Sequence, residues 1–463
     1  MMAVNPECGS IRSLRWLRFL FAALLFCAGS AAAQDTTSRA VYIEKIVIQG
    51  NKKTRPEVIL RELQTRPHTT VDYQTLELDR RRLESLGLFN RVQMSLKAGT
   101  RGYILEIVVT ERWYLFPFPI LFFNEREISL RRLSYGAGVI HTNFRGRAEL
   151  LQFYGWLGYN PSVVLDYTNP WIFGEAQMFM RLQFMVANIL NKTFDIINRR
   201  VTEKQLGAGV TLGKRLSIRT SVSFSLFYQQ LRLNPPVAGQ TLDPKGVDRA
   251  FQFRFSYLRD YRDLSWFPTQ GYYLQADVIK TGPPGGKYID YARLFIDARK
   301  YFHLGEMTTL AFRLNVDLTR GDIPIYDRLF FGYRYRIRGH FFERYEGEHR
   351  MLFSAGFRFP IIPVRYFNLE SKALGPYGQN LRYGLSGEVF FDAGTLWFQN
   401  RKERPGVPPT SGPFGMQTAP RKWLPGVGIG LNFHLPYVNI LRTELAINEK
   451  RQTELIVDLA VAF

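Results

Sequence analysis

Residues 330–340 read FFGYRYRIRGH, with Arg334, Arg336 and Arg338 spaced two apart among tyrosines and glycines. Basic residues interleaved with aromatic rings can bind nucleic acid, because guanidinium groups bind phosphates and rings stack on bases. An arginine in such a stretch can instead hold a buried carboxylate in a bidentate ion pair, which fixes geometry as well as adding energy. The stretch alone is compatible with both alternatives, so the rest of the chain has to decide between them.

The bulk composition bounds the class of protein. The formal net charge is +21 over 463 residues, of which 46% are hydrophobic and 15% aromatic. A chain this apolar is not disordered, and it is long enough for a large core or for more than one domain. A soluble protein this basic would suggest a nucleic-acid partner, since phosphate contacts dominate that binding. A surface or lumen facing anionic lipid or an acidic client would also explain the charge.

The first 33 residues are typical of a secretory signal peptide. Arginines precede or enter an apolar stretch at 19–28, and Ala31-Ala32-Ala33 offers the small residues of a cleavage site. The apolar stretch is shorter than the roughly twenty residues that a membrane-spanning helix needs. We therefore predict export, cleavage after Ala33 and a short linker at 34–40.

Cleavage at that point would remove Cys8 and Cys27, the two cysteines of the chain. The mature protein would then carry no thiol, which excludes disulfides, thiolate nucleophiles and cysteine–zinc sites. Export also argues against a nucleic-acid partner.

Residues 41–113 alternate strand-like and helix-like stretches. Val41–Ile48 is strand-like, Pro56–Leu63 can start a helix, and leucines recur near helical spacing from Leu76 to Leu86. Two further strand-like stretches follow. The pattern predicts a small β-α-α-β-β domain.

From residue 115 onward, apolar and polar residues alternate with the period of a β-strand. In Leu310–Leu318 every even position is apolar, and the odd positions carry Ala311, Arg313, Asn315 and Asp317. A soluble sandwich also alternates, but a transmembrane barrel places its apolar face in lipid and its polar face in the lumen. Aromatic residues crowd the strand ends, as they do at membrane interfaces. We therefore predict a mostly β protein whose residues 115–463 form a transmembrane antiparallel barrel of about sixteen strands, with long loops at 320–348 and 397–423.

Short motifs occur in both parts of the chain. The N-terminal unit carries Ile46–Asn51, Arg82–Phe89 and Val108–Arg112. The barrel carries five, which are Thr168–Trp171, the turn residues Arg262, Asp263, Phe267, Pro268 and Gly271, the stretch Ile337-Arg338-Gly339-His340, Phe390–Gly394, and Gly426–Gly430. On these motifs the N-terminal unit resembles a single POTRA domain, and the chain as a whole resembles the outer-membrane assembly family of BamA and TamA, in which the five barrel motifs occur in the same order. The resemblance identifies the second of the five as a periplasmic-turn motif and the third as a loop-tip motif. The chain departs from the family at His340, where Phe or Tyr is usual.

The resemblance implies that the long loop folds back into the barrel, where Arg338 meets an inward-facing carboxylate. By alternation, Glu388 and Asp392 share the lumen face of their strand. We predict a pair between Arg338 and Asp392, with Glu388 as the second choice, and a sharp turn at Gly339. Whether the pair only holds the loop or takes part in a conformational cycle stays open, as do the roles of Arg334 and Arg336.

The two ends of the barrel carry further signals. Phe463, Val461 and Leu459 resemble the C-terminal signal by which barrels are recognised for insertion, although an ordinary last strand would look the same. Pro117 and Pro119 remove two backbone donors, and they would either weaken the seam between the first and last strands or lie in a linker before the first strand.

No catalytic arrangement is present in the sequence. The six histidines are scattered without an H-E-x-x-H motif, and no G-x-S-x-G occurs. We expect no enzymatic activity, no cofactor and no metal site.

The resemblance therefore implies a factor that inserts outer-membrane proteins or translocates polypeptides through a POTRA domain and a laterally opening barrel. A secretion pore for one dedicated partner protein is the alternative, and a passive channel or receptor is a weaker one. The expected location is the bacterial outer membrane with the POTRA domain in the periplasm. The expected partners are client outer-membrane or secreted polypeptides, the lipid bilayer with its lipopolysaccharide, and periplasmic chaperones. The barrel is expected to be monomeric and to bind no nucleic acid.

Overall fold

The computed structural model describes residues 40–123, 130, 133–190, 201–236, 241–243, 245–282, 289–331, 335–340, 345–370, 375–398, 423–437 and 439–459. The N-terminal domain contains four strands and two helices. In chain order they are β1 (Val41–Gln49), α1 (Pro56–Leu60), β2 (Thr69–Val71), α2 (Tyr73–Ser85), β3 (Phe89–Ala98) and β4 (Tyr103–Glu111). The sheet order is β2-β1-β4-β3, with β1 and β4 parallel and the other pairs antiparallel.

Local sequence accounts for the helices of this domain. Pro56 occupies the first turn of α1, where its missing N–H costs no hydrogen bond. Asp72 caps α2 by accepting a hydrogen bond from the Thr75 amide at 2.6 Å. Apolar residues of both helices, among them Ile59 and Leu83, pack on the sheet and are fully buried. The strand β2 was not predicted, because three residues are too short to show a period.

The rest of the chain forms one sheet of 16 antiparallel strands. In chain order they are β5 (Leu115–Phe123), β6 (Leu133–Phe144), β7 (Glu149–Gly158), β8 (Ser162–Ile172), β9 (Met178–Leu190), β10 (Thr202–Ser217), β11 (Thr220–Asn234), β12 (Val247–Asp260), β13 (Gly271–Thr281), β14 (Asp290–Gly305), β15 (Thr308–Asp322), β18 (His349–Phe367), β19 (Leu381–Trp397), β20 (Leu424–Leu435), β21 (Asn439–Asn448) and β22 (Thr453–Leu459). Neighbours in sequence are neighbours in the sheet throughout. The mostly β fold and the sixteen-stranded barrel predicted from the alternation are confirmed.

The predicted long loop at 320–348 lies between β15 and β18 and contains the short hairpin β16 (Leu329–Phe330) and β17 (Glu346–Gly347). The loop at 397–423 lies largely outside the described residues. Of the helices in the described part of the chain, none is long and apolar enough to cross a membrane.

The two faces of the barrel wall differ as the alternation requires. On β12, Phe251, Phe253 and Phe255 are 50%, 39% and 52% exposed, and they share one face. On β15, Arg313 and Asp317 are buried on the opposite, inner face. Apolar side chains on the outside and charged side chains inside are the pattern of a barrel in lipid.

Candidate functional site

The loop tip at residues 337–340 is held inside the barrel by a buried ion pair. The Arg338 guanidinium donates from Nε to Asp392 Oδ2 at 2.6 Å and from Nη2 to Asp392 Oδ1 at 2.8 Å. The Arg338 backbone amide donates to the same carboxylate at 3.1 Å. Both residues are almost completely buried, at 3% and 1% exposure. The structure thus brings together the two residues that the sequence paired, in the bidentate geometry that makes such a contact strong and specific.

A second carboxylate, from Glu444 on β21, binds the same guanidinium. Arg338 Nη1 donates to Glu444 Oε1 at 2.7 Å, whereas Glu388 Oε1 lies 3.7 Å from the same nitrogen. The ring of Phe390 lies beneath the guanidinium, with its centroid 3.5 Å from Arg338 Cζ. Glu388 was the second choice from sequence, and Glu444 was missed. The only sequence signal for Glu444 was its position on the inner face of a strand that carries apolar residues outside.

Two further arginines balance these carboxylates. Arg358 lies 3.4 Å from Glu388, and Arg442 lies 3.3 Å from Glu444. With Arg338 and Asp392 they make a buried network of three cations and three anions. A network of this kind costs desolvation energy to form, and removing one member leaves an uncompensated buried charge.

Backbone contacts bring the tip against the last strands of the barrel. The Gly339 amide donates to Glu454 Oε2 of β22 at 2.7 Å, and Gly339 adopts a φ of +97°, which favours glycine. Opposite the tip, a Cβ on Gly426 of β20 would lie 1.9 Å from the Arg338 carbonyl oxygen. The two glycines therefore allow a backbone-to-backbone approach that a side chain would block.

His340 extends the contact, although it departs from the residue usual in the family. Its Nε2 lies 2.8 Å from the Pro425 carbonyl oxygen, to which it donates, and 3.3 Å from Glu449 Oε2. On the other side of the arginine, Ile337 is buried against Leu352 and Leu424. We call residues 337–340 with these contacts the loop-tip anchor. It joins the loop to β19, β20, β21 and β22, the last four strands of the barrel.

The first strand of the barrel, β5, differs from the last four strands because two of its residues are prolines that donate no backbone hydrogen bond. Both Pro117 and Pro119 lie within β5, so the linker alternative is wrong. The Tyr114 carbonyl accepts a hydrogen bond from the Thr142 amide at 2.9 Å, and the β5–β6 register continues from Leu115 opposite His141 without a bulge. Because backbone groups alternate sides along a strand, even-numbered residues of β5 bond to β6 and odd-numbered ones face the other edge. Both prolines therefore remove donors from the edge that faces away from β6.

The turn between β12 and β13 contains the periplasmic-turn motif. Asp263 is buried and accepts hydrogen bonds from the Thr269 amide at 2.9 Å and the Gln270 amide at 3.2 Å. Arg262 pairs with Asp260 at 2.7 Å. The buried Phe267 ring meets the His434 ring of β20 with 4.7 Å between centroids, and Pro268 beside it is also buried. A Cβ on Gly271 would lie 2.0 Å from the Tyr261 carbonyl oxygen, so the turn requires glycine there.

Family models match most of the chain. An Omp85 superfamily domain matches residues 143–456, and a POTRA model, described as a surface antigen variable number repeat, matches residues 41–112. The chain belongs to the Omp85 superfamily. The resemblance drawn from the sequence is thereby confirmed, and so is the single POTRA domain.

One curated relative and two solved structures show the extent of the similarity. The outer membrane protein assembly factor BamA of Neisseria meningitidis serogroup B (strain ATCC BAA-335 / MC58) is 25% identical over 417 residues. That match covers 78% of this chain and 47% of the relative, so the chain spans about half the length of the curated relative. BamA of Haemophilus ducreyi lacking POTRA domains 1–3 shares the fold at a TM-score of 0.50 and 18% identity, over 99% of this chain and 94% of that one. CdiB from Escherichia coli shares the fold at a TM-score of 0.52 and 10% identity, over 100% of this chain and 98% of that one.

The Omp85 barrel lies in the outer membrane, and its POTRA domain lies in the periplasm. The barrel turns that touch the POTRA domain are therefore periplasmic, and the loop that carries the loop-tip anchor enters from the extracellular end. The location predicted from the sequence is confirmed.

The POTRA domain contacts periplasmic turns on several sides of the barrel mouth. Near the first strands, Asn143 donates to Thr54 Oγ1 at 2.9 Å. Near the last strands, Arg112 donates to the Tyr437 carbonyl at 2.5 Å. On a third side, Arg81 of α2 pairs with Asp263 at 2.5 Å. A single POTRA domain thus links widely separated parts of the barrel, and we call this set of contacts the junction.

Glu62 is the buried centre of one part of the junction. It is 1% exposed and pairs with Arg215 of β10 at 2.7 Å and with Arg82 of α2 at 3.0 Å. Burial by itself would raise the pKa of the Glu62 carboxyl, but these guanidinium groups outweigh it and hold the pKa below its ordinary value. A run of arginines on a helix, such as Arg80–Arg82, usually forms a solvated face. Arg81 and Arg82 depart from that pattern, because both contact the barrel.

Some predicted residues lie outside the described part of the chain. These are the signal peptide at 1–33, Arg334, Val461, Phe463 and the side chain of Leu459. Of the arginines left open, Arg336 is described, and its Nε lies 3.8 Å from Glu454 Oε1. Among the described residues, no group of three or more His, Cys, Asp or Glu could hold a metal ion.

Proposed function

We propose that this protein inserts client polypeptides into the outer membrane, or moves them across it, through the seam between the first strand β5 and the last strand β22. The observation that carries the proposal is the asymmetry of that seam. The loop-tip anchor joins the last four strands into one braced unit, whereas two prolines remove donors from the outer edge of β5. A strand pair with fewer hydrogen bonds is the weakest place to open the wall.

The junction supports the same function. Arg112 and Asn143 attach one POTRA domain to turns on both sides of the seam. A movement of the POTRA domain on meeting a client would therefore act on both sides at once. The edges of the POTRA sheet offer backbone groups to which an extended client could add by main-chain pairing. Periplasmic chaperones would deliver such clients, and the bilayer with its lipopolysaccharide would receive them.

This activity needs no covalent chemistry and no cofactor. The proposed catalyst is the seam itself, in a monomeric barrel exported by the signal peptide at 1–33, with the POTRA domain at 41–113 and the barrel at 115–463. A passive channel would not require a loop anchored to the last strands or a POTRA domain bound around the mouth.

The test is depletion of the protein followed by quantitative proteomics of the outer membrane, with plasmid-borne variants to restore function. We expect a broad loss of barrel proteins that the wild type restores and Arg338→Ala does not. Arg320→Ala is the matched control, because it makes the same change at an exposed position near the end of β15, just before the same loop. Loss of one exported protein with normal barrels would instead favour a secretion pore for a dedicated partner. An unchanged proteome with altered solute uptake would favour a channel and overturn the proposal.

The surroundings of Arg338 determine which variants test the pair. A charge exchange between Arg338 and Asp392 would place a new carboxylate against Glu444 and Glu388, so it is not expected to restore the contact. Arg338→Lys is the better comparison, because it keeps the charge but loses the bidentate geometry. We expect Arg338→Lys to restore function only in part, and full restoration would mean that charge alone is sufficient.

A further inference from the structure

Three cations lie together on the outer face of the barrel at its periplasmic end. Arg219 is in the turn between β10 and β11, Arg259 is near the end of β12, and Lys300 is near the end of β14. Arg259 follows the exposed Phe255 in the alternation of β12, and Lys300 shares a face with Phe302, which is 37% exposed. Arg259 and Lys300 therefore point away from the lumen, toward lipid, and Arg219 reaches them from the adjacent turn.

A stacked pair of tyrosines holds these cations in place. The rings of Tyr261 and Tyr272 are parallel within 3°, with 5.0 Å between their centroids. The guanidinium carbons of Arg219 and Arg259 each lie 4.9 Å from the Tyr261 centroid, and Lys300 Nζ lies 5.6 Å from that of Tyr272. Cation–π contacts of this kind restrict long side chains that would otherwise be mobile. Cations from three separate strand ends are thus gathered around one pair of rings.

No carboxylate among the described residues forms an ion pair with any of the three. This separates them from the arginines of the lumen, where Asp297 pairs with Arg313 at 2.7 Å and with Arg299 at 2.8 Å. Asp260, the acidic neighbour of Arg259 in sequence, pairs with Arg262 instead. The group therefore carries three positive charges without a protein counter-ion, beside an apolar surface, and an anion from outside the chain would balance them.

The position of the group identifies the anion. The Asp260 amide donates to the Arg219 carbonyl at 2.8 Å, which ties the group to turns that also bind the POTRA domain. The cations consequently lie at the level of the periplasmic headgroups. On the same outer face, toward the membrane centre, Phe224, Phe255 and Val278 are 52%, 52% and 56% exposed, and they offer a surface for acyl chains. A ligand with a phosphate at one end and acyl chains at the other matches both parts.

We propose that Arg219, Arg259 and Lys300 bind the phosphate headgroup of an anionic phospholipid in the periplasmic leaflet of the outer membrane. The guanidinium groups donate to the phosphate oxygens, and the aromatic pair holds the cations at the interface. Lipopolysaccharide is a different ligand, because it occupies the leaflet at the opposite end of the barrel. None of its residues belongs to the loop-tip anchor or to the seam, so the binding test does not depend on the proposed insertion function.

The test measures phospholipid retention by the full-length protein in a non-ionic detergent, using native mass spectrometry with titrated phosphatidylglycerol. The test variant is Arg219→Gln/Arg259→Gln/Lys300→Gln. We expect its affinity for phosphatidylglycerol to fall by about fivefold for each cation removed. Phosphatidylcholine and inorganic phosphate serve as comparison probes and should bind the wild type more weakly.

The matched control is Lys204→Gln/Arg232→Gln/Arg249→Gln. These three cations are also exposed on the outer face, at the other end of the same part of the wall, and none makes a cation–π contact to a described ring. We expect the control to retain phosphatidylglycerol as the wild type does. An equal loss in both triple variants would mean that net charge alone determines binding, and it would overturn the proposal.

A second variant distinguishes binding that needs the ring stack from binding by positive charge alone. Tyr272→Leu keeps all three cations but removes the ring stack, and we expect it to lose part of the affinity. Wild-type retention by both Tyr272→Leu and the test variant would overturn the proposal. Inorganic phosphate binding as tightly as the lipid would also overturn it. Folding of every variant is checked by the heat-dependent shift of the barrel in gel electrophoresis.

Discussion

The two sides of the barrel seam differ in the number of contacts that hold each one. On one side, a loop inserts Arg338 among carboxylates and Gly339 against Glu454, so that the last four strands share a buried polar network. On the other side, β5 is attached through β6 alone in the described sheet order, and Pro117 and Pro119 reduce the donors on its outer edge. The difference teaches that contacts are distributed unevenly along the wall. One side is held from within by ion pairs and backbone contacts, and the other carries fewer backbone donors at its outer edge.

The largest expected effect comes from breaking the braced side. Arg338→Ala would remove one of the three buried cations that balance the charges of Asp392, Glu388 and Glu444. Removing one partner of a buried pair typically costs about 3–5 kcal/mol. We expect the free energy of unfolding to fall by that order and complementation of a depleted strain to be lost. Urea titration of the purified protein in detergent measures the first quantity, and Arg320→Ala should leave both unchanged.

A smaller change tests the close approach of the loop rather than its charge. Gly426→Ala places a Cβ where the Arg338 carbonyl oxygen lies 1.9 Å away, so the loop tip or β20 must move. Overpacking of this kind costs about 1–3 kcal/mol. We expect lower stability and easier proteolytic cleavage of the loop. Stability equal to the wild type would show that the contact between the two backbones is not needed.

A change at the junction sharpens the comparison, because it leaves both sides of the seam untouched. Glu62→Gln removes the charge that holds Arg82 and Arg215, with an expected cost of about 1–2 kcal/mol. We expect the POTRA domain to become more accessible to protease while the barrel keeps its heat-dependent gel shift. Loss of the gel shift would mean that docking also supports the barrel.

The same carboxyl predicts a pH dependence. Because the folded protein lowers the pKa of Glu62 below its ordinary value of 4.5, its contribution is complete above that value and declines as the pH falls below it. Protease accessibility of the POTRA domain should therefore rise in acid for the wild type. The acid-induced rise should be smaller in Glu62→Gln, whose amide does not titrate.

The smallest effect, and one of opposite sign, is expected on the first strand. Pro117→Thr/Pro119→Thr adds two backbone donors to the outer edge of β5, each worth up to about 1 kcal/mol if it finds an acceptor. We expect a slightly more stable barrel that inserts clients more slowly. A matched Val139→Thr change on β6, opposite Pro117, leaves the edge donors as they are. Faster or unchanged insertion in the proline variant would argue that the edge of β5 does not limit opening.

The contacts of the loop-tip anchor could be predicted from the sequence only in part. Alternation on β19 places Glu388, Phe390 and Asp392 on one face, and this is a local property that the structure reproduces. Glu444 and Glu454 lie more than a hundred residues from Arg338, and nothing in their local pattern distinguishes them from other inward carboxylates. Which of these carboxylates meets the loop depends on where a fold-back loop ends, and alternation along a strand carries no information about that.

The junction was missed for a similar reason. A run such as Arg80-Arg81-Arg82 on a helix is usually solvated, and sequence offers no sign of a partner surface more than a hundred residues away. Only the docked domain shows that Arg81 meets Asp263 and that Arg82 donates to the Ile218 carbonyl of the barrel. The three-residue strand β2 was missed because it is too short for a period to appear.

By itself, the sequence determined the strand number, the inward and outward faces, the POTRA domain and the family. These follow from period-two alternation and short motifs, which are local properties of the sequence and do not depend on how distant segments are arranged. The tertiary structure decided which carboxylates surround Arg338, how the POTRA domain meets the barrel, and toward which edge of β5 the prolines point. Each of these depends on distances between segments far apart in the chain or on the register between strands, and the order of residues alone does not specify them.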